Sequence, residues 1–94
     1  MISDIKRRAL HRSKILQGQL KGLEKMIENE EYCMDIITQS LAIQKSLASL
    51  NKLIVENHLK THITDSLSST DEMKQADTIT ELLYLYELTH VRGK

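Results

Sequence analysis

The chain has 94 residues, 13 Lys and Arg against 13 Asp and Glu, four His, one Cys, three Gly and no Pro, Phe or Trp. That length allows one small domain with a modest core, of the kind that leans on oligomerisation. The scarcity of turn residues excludes strand–turn–strand architectures, and no apolar run reaches the roughly 20 residues of a membrane span. Leu, Ile, Lys, Glu, Gln and Ala dominate, so the expected class is all-α. The start, "MISDIKRRAL", has charges but no following apolar stretch, so no secretory signal is expected. One cysteine cannot make an intrachain disulfide, and a reduced, cytoplasmic setting is the expectation.

Helix one is expected over about residues 4–28, capped by Ser3 or Asp4, with Ile5, Leu16, Leu20, Leu23 and Ile27 at helical spacing. Gly18 and Gly22, four apart, share a face that would let another helix come close. The charge is polarised: residues 1–25 carry seven basic side chains (Lys6, Arg7, Arg8, Arg12, Lys14, Lys21, Lys25) against two acids, and residues 28–35 carry four acids and no base. A solvated helical face accounts for such a pattern, and so does a phosphate-contacting surface.

"NEEY" reads as a connection, and helix two runs from near Tyr32 through Leu59, towards Ile63. Its 32 residues from Tyr32 to Ile63 correspond to about 48 Å of helix. A 94-residue monomer has a radius of gyration of only about 12 Å. Such a helix leaves apolar surface uncovered, which implies an oligomer in which second helices pack antiparallel. "TDSLSSTDE" supplies polar residues and caps. Thr70 or Asp71 then opens helix three, with Ala76, Ile79, Leu82, Leu83 and Tyr86, ending near His90. Tyr84 and Tyr86 read as packing residues.

"NHLKTH" sets His58 and His62 four apart, one above the other on a helix. Cys33 is the only thiol, about 37 Å from His58 if helix two is continuous. Within one chain they cannot share an ion. In an antiparallel two-fold pair, Cys33 of one subunit approaches His58 and His62 of the other, giving an S,N,N donor set for a late first-row metal at two sites per dimer. The bland alternatives are a buried apolar cysteine and a pair of surface histidines at a helix end. No glycine-rich phosphate loop or nucleophile elbow is present, and a slim bundle gives a Cys–His pair little room for a substrate cleft, so an enzyme is not expected.

The stretches "GQLKGLEKMIENEEYC", "DIITQSLAIQKSL" and "NHLKTH", continuing through "ELLYLYEL", resemble the CsoR/RcnR family of bacterial metal-responsive transcriptional repressors. The resemblance covers nearly the whole chain as a single domain. It implies a three-helix protomer, an antiparallel dimer assembled into a homotetramer, and double-stranded operator DNA bound in the metal-free form and released on metal binding, derepressing an efflux gene. Carried over, Cys33, His58 and His62 would be the metal ligands, and Tyr32 and Glu81 an outer pair coupling that site to DNA affinity. Arg12 would contact DNA with Arg7, Arg8, Lys14, Lys21 and Lys52.

The departures bear on the metal. His62 falls where copper-sensing relatives commonly have a second cysteine, and imidazole also suits zinc, nickel and cobalt. The family's nickel/cobalt sensors add an N-terminal histidine, which "MISD" lacks. Three protein donors point to copper(I). Formaldehyde-sensing relatives use an N-terminal proline beside the cysteine, and persulfide sensors need two cysteines. A thiol-based electrophile sensor using Cys33, a nickel-, cobalt- or zinc-responsive repressor, and a metal-buffering helical oligomer without a DNA role stand as alternatives. Ser49 and Gln17 occupy positions where several relatives carry arginine.

Overall fold

A computed structural model describes residues 1–89, apart from the side chain of Thr89, and every element in that range is helical. They are α1 (Ser3–Glu28), α2 (Cys33–His58), a π-helical turn (Leu59–Ile63), α3 (Thr64–Leu67) and α4 (Glu72–Thr89). The expected end of the last helix, near His90, lies outside the described residues. None of these helices is long and apolar enough to cross a membrane. The chain divides into two compact units, Met1–Asn57 and His58 onward.

The first unit is an antiparallel hairpin of α1 and α2. Ile5 and Ala9 of α1 pack with Leu53 of α2, flanked by Ile2 and Leu50, and Leu16 is buried further along. Polar pairs fix the register. The Ile2 N–H donates to Asn57 Oδ1 at 2.8 Å, Arg12 Nη1 to Ser49 Oγ at 2.5 Å, and Gln39 Nε2 to the Gln19 carbonyl at 3.0 Å. As α1 numbers rise, their α2 partners fall.

The start of α1 differs from the expected cap. Ile2, not Ser3 or Asp4, precedes the helix, and it makes no side-chain cap. The first helical carbonyl is that of Ile2, which accepts from the Lys6 N–H at 2.9 Å. Buried Asn57, far off in sequence, takes the Ile2 N–H and holds the chain entry in place of a local cap. Asp4 falls in the first turn, where a carboxylate complements the helix dipole.

The "NEEY" connection is a Schellman turn. The Glu30 N–H donates to the Ile27 carbonyl and the Glu31 N–H to that of Met26, each at 3.0 Å. Glu30 takes the left-handed position with φ of 50°, a place usually given to glycine. The Tyr32 carbonyl then accepts from the Asp35 and Ile36 N–H groups as α2 begins.

Much apolar surface stays open. On α2, Met34, Ile37, Leu41, Leu47 and Ile54 are exposed, as are Leu20 and Ile27 on α1, although periodicity marked those two for the core. The expected close helix approach also divides. A methyl group on Gly22 would make ordinary contact with Gln39 at 3.6 Å, whereas one on Gly18 would meet none of the described residues within 4 Å.

In the second unit the Thr64 N–H donates to the Leu59 carbonyl, five residues back, and the Thr64 hydroxyl donates to the same oxygen at 2.7 Å. This extra residue per turn is the π-helix. The backbone keeps helical torsions on both sides, at His58 and Thr64, so helical structure runs on to Leu67. Asp71 caps α4, its Oδ1 accepting from the Met73 and Lys74 N–H groups at 3.0 and 3.3 Å. Ile63 and Thr78 are buried, the Thr78 hydroxyl donating to the Lys74 carbonyl at 2.9 Å. Tyr84 and Tyr86, expected to pack, are each 60% exposed, because an 18-residue helix in so small a unit finds little to cover it.

Candidate functional site

Three of the residues singled out by sequence meet in the second unit. His58 closes α2 and His62 sits inside the π-turn, with ring centroids 5.2 Å apart and planes inclined by 42°. Glu81 reaches from α4 so that its Oε1 pairs with His58 Nε2. Both partners are substantially solvated, with side chains 35% and 53% exposed. A carboxylate accepts only, so in the neutral ring this contact selects the tautomer with the proton on Nε2 and the lone pair on Nδ1. That is how a metal-binding imidazole is commonly oriented, with a carboxylate on the far ring nitrogen fixing the tautomer and raising the basicity of the other.

Cys33 and Tyr32 belong to the first unit. Cys33 is a free, exposed thiol at the first residue of α2, and Tyr32, just before it, is also exposed. Cys33 and His58 are therefore the two ends of one 26-residue helix. Among the described residues, no three His, Cys, Asp or Glu side chains of the chain converge as a metal-binding group.

The basic residues of α1 fall into two settings. Arg7 pairs with Asp4 at 2.5 Å and Arg8 with the other Asp4 oxygen at 3.8 Å; both contacts are exposed and contribute little to stability. Lys14 and Lys21 are exposed, while Arg12 is half-buried against Ser49. Arg7, Arg8, His11, Arg12 and Ile15 line one groove. His11 shares that groove, although sequence reading did not single it out. Ser49 here holds an arginine from the facing helix.

Comparison with known proteins places this geometry in context. Residues 5–86 match the family described as metal-sensitive transcriptional repressor. The copper-sensing transcriptional repressor CsoR of Mycobacterium ulcerans (strain Agy99) is 42% identical over 60 residues, 64% of this chain and 51% of that protein. The chain thus spans about half the length of the mycobacterial relatives it matches. The copper-sensing transcriptional repressor CsoR of Bacillus subtilis (strain 168) is 34% identical over 77 residues, covering 82% of this chain and 73% of the relative. Among solved structures, the copper-sensing repressor CsoR with Cu(I) from Geobacillus thermodenitrificans NG80-2 superposes with a TM-score of 0.82 at 24% identity, covering 97% of this chain and 92% of that one, a likeness of fold. A variant of the formaldehyde-responsive regulator FrmR from Salmonella enterica serovar Typhimurium gives a TM-score of 0.71 at 31% identity, over 92% of this chain and 94% of the other.

Proposed function

This chain belongs to the metal-sensitive transcriptional repressor family, and from that premise we propose that it represses transcription by holding operator DNA until copper(I) releases it. The observation that carries the reading is the His58–His62 pair with Glu81 on the far nitrogen of His58. The two imidazoles form one arm of a metal site, and Cys33 of a second copy supplies the thiolate. An antiparallel pairing of two α2 helices covers the exposed Ile37 and Leu41 face and sets the start of one helix beside the end of the other. Two such dimers make the tetramer, acting in the cytoplasm.

One thiolate and two imidazoles suit copper(I), which accepts few donors and favours sulfur; zinc, nickel and cobalt accept the same imidazoles. When bound, the metal ties the two arms together. Glu81 holds the His58 ring, and Tyr32, next to Cys33, joins that carboxylate across the pairing, so the state of the ligands reaches α4. Arg7, Arg8, Arg12, Lys14 and Lys21 of α1 contact operator phosphates, an attraction that salt weakens steeply. The coupling between metal and DNA is reciprocal and of the order of 1–3 kcal/mol.

Anaerobic titration with copper(I), zinc, nickel and cobalt, followed by operator binding of each loaded form, tests this. Copper(I) should weaken operator binding, and operator should weaken copper(I) binding by the same factor. Equal copper affinity of free and DNA-bound protein overturns the mechanism.

A second reading rests on the exposed, free Cys33 and the likeness to a formaldehyde-responsive regulator. There Cys33 reacts with an electrophile such as formaldehyde, and His58→Ala and His62→Ala leave the response intact while Cys33→Ala abolishes it. The metal reading requires all three substitutions to abolish it.

A further inference from the structure

Asn57 and Thr78 are the two buried polar side chains among the described residues. Thr78 donates back to its own helix, whereas Asn57 reaches the start of another. Asparagine is a poor helix former and costly to bury, so its place next to the last residue of α2 calls for a partner. That partner is a backbone group: the Ile2 N–H donates to Asn57 Oδ1 at 2.8 Å. Ile2 is extended, with φ of −60° and ψ of 129°, and makes no side-chain cap for α1. It nevertheless supplies the first helical carbonyl and packs against the cluster of Ile5, Ala9 and Leu53. A side chain of α2 thus fixes where α1 begins.

The next residue is His58, an imidazole of the candidate metal site, and the two compact units of the chain divide at this peptide bond. One short piece of backbone therefore carries both a metal donor and the acceptor that holds α1. A hydrogen bond weakens steeply once it is bent below roughly 120° or stretched well beyond about 3.2 Å. The bond from Ile2 thus tolerates only a small shift of Asn57. His58 cannot be drawn toward a thiolate on a second chain without pulling on that backbone. With the bond open, the first two turns of α1 fray, because helix ends open most readily where their terminal groups lose partners. Arg7 and Arg8 lie in those turns.

We infer that Asn57 is a positioning residue through which His58 controls the start of α1: the Ile2–Asn57 bond holds while His58 is free and gives way when His58 takes a metal. This deepens the proposed metal response and rests on it. The route is separate from Glu81 of α4, which meets the His58 ring itself. Its sense follows from entropy. A fixed start presents Arg7, Arg8 and Arg12 as one rigid set, and a frayed one must be reordered before it can bind. By linkage, an ion that must open this bond binds less tightly than it would in the absence of the bond. A purely structural role for Asn57 has the opposite sign, because its loss would loosen the fold beside the metal donors.

The experiment uses the full-length, isotope-labelled chain with copper(I) as the probe, under anaerobic conditions. Exchange of the Ile2 and Lys6 amides is read by nuclear magnetic resonance, and copper(I) affinity by competition with a chelator. In the wild type, copper(I) should speed exchange at Ile2 about fivefold, the worth of one net hydrogen bond. Asn57→Leu keeps the volume and removes the acceptor. Its Ile2 amide should exchange fast from the outset, copper(I) should add nothing, and copper(I) should bind up to about fivefold more tightly. Asn57→Ala serves the same end if the leucine variant does not fold. Asn57→Asp, which keeps an acceptor oxygen at the same reach, should behave as the wild type. Exchange at Ile2 that copper(I) leaves unchanged or slows in the wild type overturns the inference while the metal reading stands. So does a copper(I) affinity that is unchanged or weaker in Asn57→Leu. A wild-type chain that binds no copper(I) overturns both.

Discussion

Glu81 occupies the Nε2 side of His58, so the Nδ1 side is the one that the neutral ring offers to a ligand. The pair is exposed enough that its loss should barely change stability, because solvent screens such contacts. Its expected effect is on the ligand. Glu81→Gln should melt within a degree or so of the wild type and bind copper(I) about 10–100-fold more weakly, the usual cost of removing an outer partner of a metal-bound histidine. Competition against a chelator of known affinity measures this. An unchanged copper(I) affinity would remove Glu81 from the site.

The division of donors between chains makes a sharper prediction. Neither Cys33→Ala nor the double variant His58→Ala/His62→Ala should bind copper(I) tightly as a homo-oligomer. Mixed after unfolding and refolding, the two should regain one site per heterodimer, built from the intact thiolate of one and the intact imidazoles of the other. Complementation by mixing cannot occur if all three ligands must come from the same chain. A mixture as inert as its components would rule out the intersubunit site.

Glu30 allows a stability test separate from function. Its φ of 50° costs a side-chain-bearing residue about 1–2 kcal/mol, part of which glycine returns through its freer unfolded chain. Glu30→Gly should therefore stabilise the fold by about 0.5–1 kcal/mol at fixed protein concentration, raising the melting temperature by a few degrees. Thermal unfolding followed by circular dichroism reads it. A lower melting temperature would mean that the carboxylate has a role the turn geometry does not reveal.

How much of this was legible in the sequence depends on how local each feature is. The helices, the turn at "NEEY" and the Asp71 cap are written in neighbouring residues and were readable there. The start of α1 was misplaced because its anchor, Asn57, lies 55 residues away, and no spacing rule links it to Ile2. The π-turn was invisible because a shift from the fourth to the fifth residue back is a choice of hydrogen-bond partner, not of composition. His58 and His62 were legible as a facing pair; Glu81 was marked only through family resemblance, as a partner of Tyr32, and its pairing with His58 went unforeseen because it joins residues 23 apart on different helices. The apolar face of α2 was correctly expected to stay uncovered. The same shortage of partners left Tyr84 and Tyr86 exposed where packing was anticipated.

The π-turn also has a consequence for how this chain can vary. A helix that spends an extra residue in one turn sets everything beyond it back by about 100° from an uninterrupted α-helix. Deleting one residue between Leu59 and Ile63 would thus leave a sound, even more regular helix whose later residues keep the direction they have now. Inserting a residue elsewhere in α2 that stays α-helical would instead turn everything beyond it by about 100°. In this stretch, alignments that count residues and alignments that follow faces part company. Relatives with a different number of residues between their donors can still present them in the same direction, and relatives with the same number need not.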